Sequence, residues 1–121
     1  MPARVLVVDD LLPNIRLLQA RLTAEYYEVL TAQSGAEALA ICARGGCDLV
    51  LLDVMMPKKS GFEVCELLRA DATMADLKII MLTAKGRETE VTKGLALGAN
   101  AYITKPFSTK DLVAQIKTLL A

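Results

Sequence analysis

The chain has 121 residues, with Lys+Arg and Asp+Glu at 14 each, so no net positive field favours nucleic acid or an anionic lipid surface. Its hydrophobic share of 54% is enough to build a core, and neither a membrane-length apolar run nor a signal-peptide plan interrupts it. Histidine is absent, which removes Ser-His-Asp triads, His-liganded zinc and His general bases.

Arg4 to Asp9 reads as a first strand, the run Val5 to Val8 being apolar and largely β-branched, and it ends in Asp9-Asp10. Pro13 suits the first turn of a helix on which Ile15, Leu18 and Leu22 recur at helical spacing. Tyr27 to Thr31 is a more polar strand suited to a sheet edge. Ser34 and Glu37 form a capping-box pattern, in which Glu37 should reach back to the Ser34 N–H. The helix it opens places Leu39, Cys42 and Ala43 on one face and stops at Gly45-Gly46.

The run Leu49 to Leu52 is continuous and apolar, as expected of a strand covered on both faces, and it delivers Asp53 at its last position. Pro57 then blocks any continuation, so Asp53 faces the loop Val54 to Ser60. A helix from about Gly61 turns Phe62, Cys65 and Leu68 inward. Leu77 to Leu82 is a fourth strand ending at Thr83, and a helix of poor formers runs from Glu88 to Leu97 before Gly98. Ala101 to Ile103 is a short fifth strand leading into Thr104-Lys105-Pro106. Ser108 caps a last helix with Asp111 three residues on and Leu112, Val113, Ile116, Leu119 and Leu120 as its buried stripe.

Five strand–helix units with short connections predict one α/β domain over residues 1–121. Its expected form is a doubly wound parallel sheet in the order 2-1-3-4-5, with right-handed crossovers and a crevice between strands 1 and 3. Cys42, Cys47 and Cys65 lack Cys-x-x-Cys spacing and read as reduced thiols, two of them on helix faces. The chain is expected in the cytoplasm.

At the carboxyl ends of the strands, Asp9, Asp10, Asp53, Thr83 and Lys105 converge on one rim. Each has a bland reading, a helix-start charge for Asp10 or a turn hydroxyl for Thr83, but packing requires polar residues at none of these ends. Three carboxylates a few ångströms apart repel by roughly 4 kcal/mol per close pair at an effective dielectric near 20, so they protonate or recruit cations. Oxygen ligands favour a hard ion such as Mg²⁺, and Lys105 adds positive charge opposite. Such a site suits a tetrahedral oxyanion, and an Asp carboxylate can itself attack a phosphoryl group.

These residues stand in recognisable surroundings: Val5 to Asp10, Leu51 to Pro57, Gly61-Phe62-Glu63, Met81 to Lys85, and Gly98 to Phe107. Taken together, they resemble the receiver domain of two-component response regulators, with its flavodoxin/CheY-like (βα)5 fold, over essentially the whole chain. The first half is similar to the N-terminal receiver of multi-receiver diguanylate cyclases. The resemblance implies Asp53 as phospho-acceptor; Asp9, Asp10, Asp53 and the Met55 carbonyl as Mg²⁺ ligands; Lys105, Thr83 and the Ala84 N–H on the phosphoryl oxygens; and Thr83 with Tyr102 as the switch pair.

It also implies a phosphohistidine donor on a histidine kinase or histidine phosphotransfer protein, and an output domain or target protein downstream. A phosphorylation-dependent homodimer through helix 4, strand 5 and helix 5 is a further implication. No direct role on nucleic acid or at a membrane is implied, nor any enzymatic turnover beyond the chain's own aspartyl phosphate. Met55 and Lys85 occupy positions that tune phosphoryl lifetime in that family. Lys58-Lys59-Ser60, Asn100 and Cys47 depart from its usual pattern, without removing a reacting group.

Two other readings fit less well. An Asp-nucleophile phosphohydrolase would carry a second carboxylate where Met55 stands, and a flavin or nucleotide binder would need a phosphate loop where Asp9-Asp10 would repel one. A pseudo-receiver that docks without taking phosphate stays open. The chain reads either as a stand-alone receiver that signals by docking or as the N-terminal domain cut from a longer regulator, and the abrupt end at Ala121, after Leu119-Leu120, tilts the expectation slightly toward the second.

Overall fold

The computed structural model describes residues 2–56, 60–84 and 88–121, for residues 84 and 88–90 the backbone only. Five strands alternate with five helices: β1 Arg4–Val8, α1 Leu12–Ala24, β2 Glu28–Ala32, α2 Gly35–Ala43, β3 Leu49–Asp53, α3 Gly61–Ala70, β4 Lys78–Ala84, α4 Glu88–Ala96, β5 Ala101–Lys105 and α5 Thr109–Leu120. All strand pairs are parallel, in the order β2-β1-β3-β4-β5, as the alternation of elements predicts. No helix among the described residues is long and apolar enough to cross a membrane.

Every residue of β3 is buried, because helices cover both faces of the central strand. The period of two then divides the core. Leu6, Val8, Val50, Leu52, Ile79 and Met81 point to one side, where they meet Ala38 and Cys42 of α2 and Val64, Cys65 and Leu68 of α3. Val5, Val7, Leu49, Leu51, Ile80 and Leu82 point to the other, against Ile15, Leu18 and Leu22 of α1 and Leu112, Val113 and Ile116 of α5. The polar β2 is an edge strand, shifted one residue later than the sequence suggests.

Local chemistry explains the element ends. Pro13 stands in the first turn of α1, where a missing N–H leaves no bond unmade. Ser34, Ser60 and Ser108 cap α2, α3 and α5 through their hydroxyl oxygens. The capping box of α2 closes differently from its expected form: the Glu37 carboxylate accepts from the Gln33 N–H at 3.1 Å, one residue upstream of Ser34. Ala43, expected inside, is exposed, and Ala38 fills that stripe one turn earlier. Phe62 is only half-buried, since the side chain at that edge of α3 lies under Lys93 of α4, whose Nζ is 4.7 Å from the ring centre.

The weak helix over Glu88 to Leu97 is present and one residue shorter. Its poor propensity is offset by packing: Gly94 is buried, and a Cβ there would touch Met81 and Phe62 at 3.5–3.6 Å. A short 3-10 helix, Ala72–Met74, precedes β4 and is capped by Asp71.

Candidate functional site

The strand ends bring the acidic residues together. Asp53 closes β3 and Asp9 follows β1, its N–H bonded to the Ala32 carbonyl at 3.1 Å. Pairing of Val8 with Leu52 sets these two carboxylates side by side at the crevice between β1 and β3. Asp9, Asp10 and Asp53 each offer an oxygen within 4.8 Å of the others. Asp9 is 1% and Asp53 4% exposed, while Asp10 is half-buried.

The two buried carboxylates, Asp53 and Asp9, are held by specific donors. Asp53 Oδ1 accepts from the Met55 N–H at 3.1 Å, and its Oδ2 lies 3.3 Å from Lys105 Nζ. Asp9 Oδ1 accepts from the Leu11 N–H at 2.9 Å; its Oδ2 accepts from Asn14 Nδ2 at 3.2 Å and lies 3.9 Å from Lys105 Nζ. Asn14 was not singled out in the sequence, although its place in the first turn of α1, five residues after Asp9, is a readable signal. Burial pushes the Asp53 carboxyl above its ordinary range; Lys105 and the Met55 N–H pull it back, and Asp9 adds to the rise.

Thr83 lies next to this group on β4, whose Leu82 pairs with Asp53. Its hydroxyl is the single buried side-chain oxygen or nitrogen without a hydrogen-bond partner among the described residues, at 1% residue exposure. A buried hydroxyl left unpaired costs of order 1–3 kcal/mol, so its place beside the acidic rim asks for a partner that arrives. Thr83 shares the sheet face of Ile79 and Met81, and Tyr102, paired with Met81 across β4 and β5, shares it too. Tyr102 is 41% exposed. Ala84 pairs with Lys105 one step beyond Thr83. Pro57, Lys58, Lys59 and Lys85 fall outside the described residues.

The oxygen-only donor set fits a hard divalent cation: three carboxylates converge, two of them almost fully buried, with one lysine against them. Asp9, Asp10 and Asp53 could hold such an ion, the Met55 carbonyl being the fourth donor that the resemblance implies. Met55, two residues beyond Asp53, is exposed. From the side of α1, a cavity of about 300 Å³ reaches Asp9 and Lys105 past Leu17, Leu18 and Phe107.

The base of α3 depends on Gly61. A Cβ at this position would fall 2.5 Å from the Asp53 carbonyl oxygen and 2.9 Å from the Val54 Cα. Only glycine lets the helix start rest on the end of β3.

The family profile of the response regulator receiver domain matches residues 5–117. The response regulator PleD of Caulobacter vibrioides is 47% identical over 119 residues, which is 98% of this chain and 26% of PleD. The alkaline phosphatase synthesis transcriptional regulatory protein PhoP of Bacillus subtilis is 45% identical over 120 residues, 99% of this chain and 49% of PhoP. The chain therefore spans between a quarter and a half of the length of these relatives. The chemotaxis response regulator CheY4 of Vibrio cholerae superposes with a TM-score of 0.92 at 32% identity, covering 98% of this chain and 99% of that one. Sheet order, acidic crevice and matched length agree: the chain belongs to the response regulator receiver family.

Proposed function

We propose that residues 1–121 act as a phosphorylation switch, a single receiver domain in which Asp53 takes a phosphoryl group from a phosphohistidine on a partner kinase or phosphotransfer protein. An Asp53 oxygen attacks phosphorus, the P–N bond breaks, and its electron pair stays on the departing imidazole, which takes up a proton. The chain has no histidine of its own, in keeping with a donor supplied by the partner. The observation that carries the reading is the grouping at Asp53: a buried carboxylate with Lys105 Nζ at 3.3 Å and a neighbouring hydroxyl, Thr83, still unpaired.

The roles are those that membership of the receiver family implies for these positions. Lys105 would neutralise charge on the transferred group, and Thr83, with the Ala84 N–H, would bond its oxygens. Asp9, Asp10, Asp53 and the Met55 carbonyl would hold Mg²⁺, which when bound offsets the negative charge gathered around the incoming phosphoryl group. Turning of Thr83 toward that group would free space on its sheet face, which Tyr102 would fill, so that the surface of α4, β5 and α5 repacks. That surface would then engage an output domain, a target protein or a second copy of the chain. The setting is cytoplasmic, and the chemistry is confined to gain and loss of the chain's own aspartyl phosphate.

Intact mass after incubation with a small-molecule phosphodonor tests the acceptor, with Mg²⁺ or EDTA, on wild type and Asp53→Ala. One added phosphoryl mass that requires both Mg²⁺ and Asp53 is the expected result. Uptake by Asp53→Ala, or none by the folded wild type from either a small donor or a phosphorylated histidine-kinase domain, would refute it.

A further inference from the structure

A second group of reactive side chains lies at the opposite end of β3. Cys42, in the last turn of α2, and Cys47, just before β3, are separated by Ala43-Arg44-Gly45-Gly46. Gly45 and Gly46 have φ of 79° and 91°, conformations that favour glycine, and this pair folds the loop back sharply. The fold-back puts Cys47 against the core cluster that contains Cys42, close enough for each thiol to bear on the ionisation of the other. Sequence spacing alone concealed this contact.

The two sulfurs are not equivalent. Cys42 is buried and Cys47 only half-buried. Both border a cavity of about 560 Å³ formed by the α2–β3 loop, the segment before β4 and the end of α5. The neighbouring Cys42 thiol, with the Arg4 guanidinium, brings the Cys47 thiol down to about 7, against burial and the Asp48 carboxylate, which act the other way. Cys42 is pushed up by its Cys47 neighbour and by burial. Arg4 is fixed here: its N–H donates to Asp48 Oδ2 at 2.8 Å, and a Cβ on Gly46 would meet its guanidinium at 2.7 Å.

We propose that Cys42 and Cys47 form a peroxide-responsive dithiol site that closes reversibly to a disulfide, with Cys47 as the attacking sulfur. The Cys47 thiolate attacks one oxygen of a hydroperoxide, the O–O bond breaks, and the other oxygen leaves as water or alcohol after protonation. Cys47 is then a sulfenic acid. The Cys42 sulfur, giving up its proton, attacks it; the S–O bond breaks and water departs. Two thiols and one hydroperoxide thus become one disulfide, one water and one water or alcohol. Cys47 lies six residues before Asp53, roughly 20 Å at about 3.3 Å per residue, at the opposite end of β3, so the acidic rim takes no part.

Arg44 stands between the two cysteines, which makes the product easy to read: trypsin cuts there, leaving Cys42 and Cys47 on different peptides. After treatment of the whole chain with one equivalent of hydrogen peroxide, the expected product has lost the mass of two hydrogens. Its digest should contain the 22–44 and 45–58 peptides joined, and a thiol reductant should part them. Cys65, buried and bonded at 3.8 Å to the Leu97 carbonyl, should remain a thiol. In Cys42→Ser, Cys47 should accumulate as a sulfenic acid that a cyclic diketone traps. Oxidation falling first on Cys65, disulfides only between chains, or a wild-type digest without the joined peptides would each overturn the proposal.

Discussion

Burial leaves Asp53 carrying a charge that the folded chain holds at a cost. Its pKa lies above the unfolded value, so the stability attached to this group is fully present below the ordinary carboxylate range. That stability is lost as pH rises through the folded pKa. Asp53→Asn is therefore expected to melt above wild type at neutral pH without divalent cation, and the gap should close in acid. Thermal melts from pH 3 to 8 check this; a variant that melts below wild type at neutral pH would refute it. Gly61→Ala is the second residue to test. Its new methyl meets backbone, not a yielding side chain, so a loss of about 1–3 kcal/mol is expected in urea denaturation.

At the scale of elements, the strands were legible because β1 and β3 are short apolar runs with polar ends, and no other reading of Leu49 to Leu52 buries it as well. Details that depend on side-chain reach were not. The Glu37 carboxylate accepts from the Gln33 N–H and not from that of Ser34, and Ala38 replaces Ala43 in the core, because helical phase is set by what faces the element. Least legible are long-range bonds such as those of Arg69. Its guanidinium donates to the Gly98 carbonyl at 2.9 Å, the Met74 carbonyl at 3.1 Å and Asn100 Oδ1 at 2.7 Å. Asn100 Oδ1 also accepts from the Ile79 N–H at 2.8 Å. Arg69 thus ties the end of α3 to the approaches of β4 and β5. Arg69→Ala should cost about 2 kcal/mol in denaturant unfolding, with hydrogen exchange rising first at residues 98–100.

For the whole molecule, the acidic cluster predicts a linkage between ion and fold. A cation that binds only the native chain stabilises it by about 2.7 kcal/mol at a hundredfold excess over its Kd. Mg²⁺ should therefore raise the melting temperature, EDTA should reverse the rise, and Asp10→Asn should blunt it with the fold intact. The acidic site itself was legible from sequence because parallel sheets gather chemistry at strand ends. The Cys42–Cys47 contact was not, since it needs the loop's left-handed glycines to be seen.

The alternation that divides the core also divides the rim. Asp53 and Lys105 share the face of Leu51 and Ile103, toward α1 and α5, whereas Thr83 and Tyr102 share the face of Met81, toward α4. The sheet is thus a partition with the carboxylate and the lysine on one side and the aromatic on the other, and side chains of the two sides approach one another at its upper edge. If the proposed switch operates, a signal from the Asp53 carboxylate to Tyr102 would have to pass over that edge, where Thr83 and its strand partner Thr104 stand on the side of Tyr102.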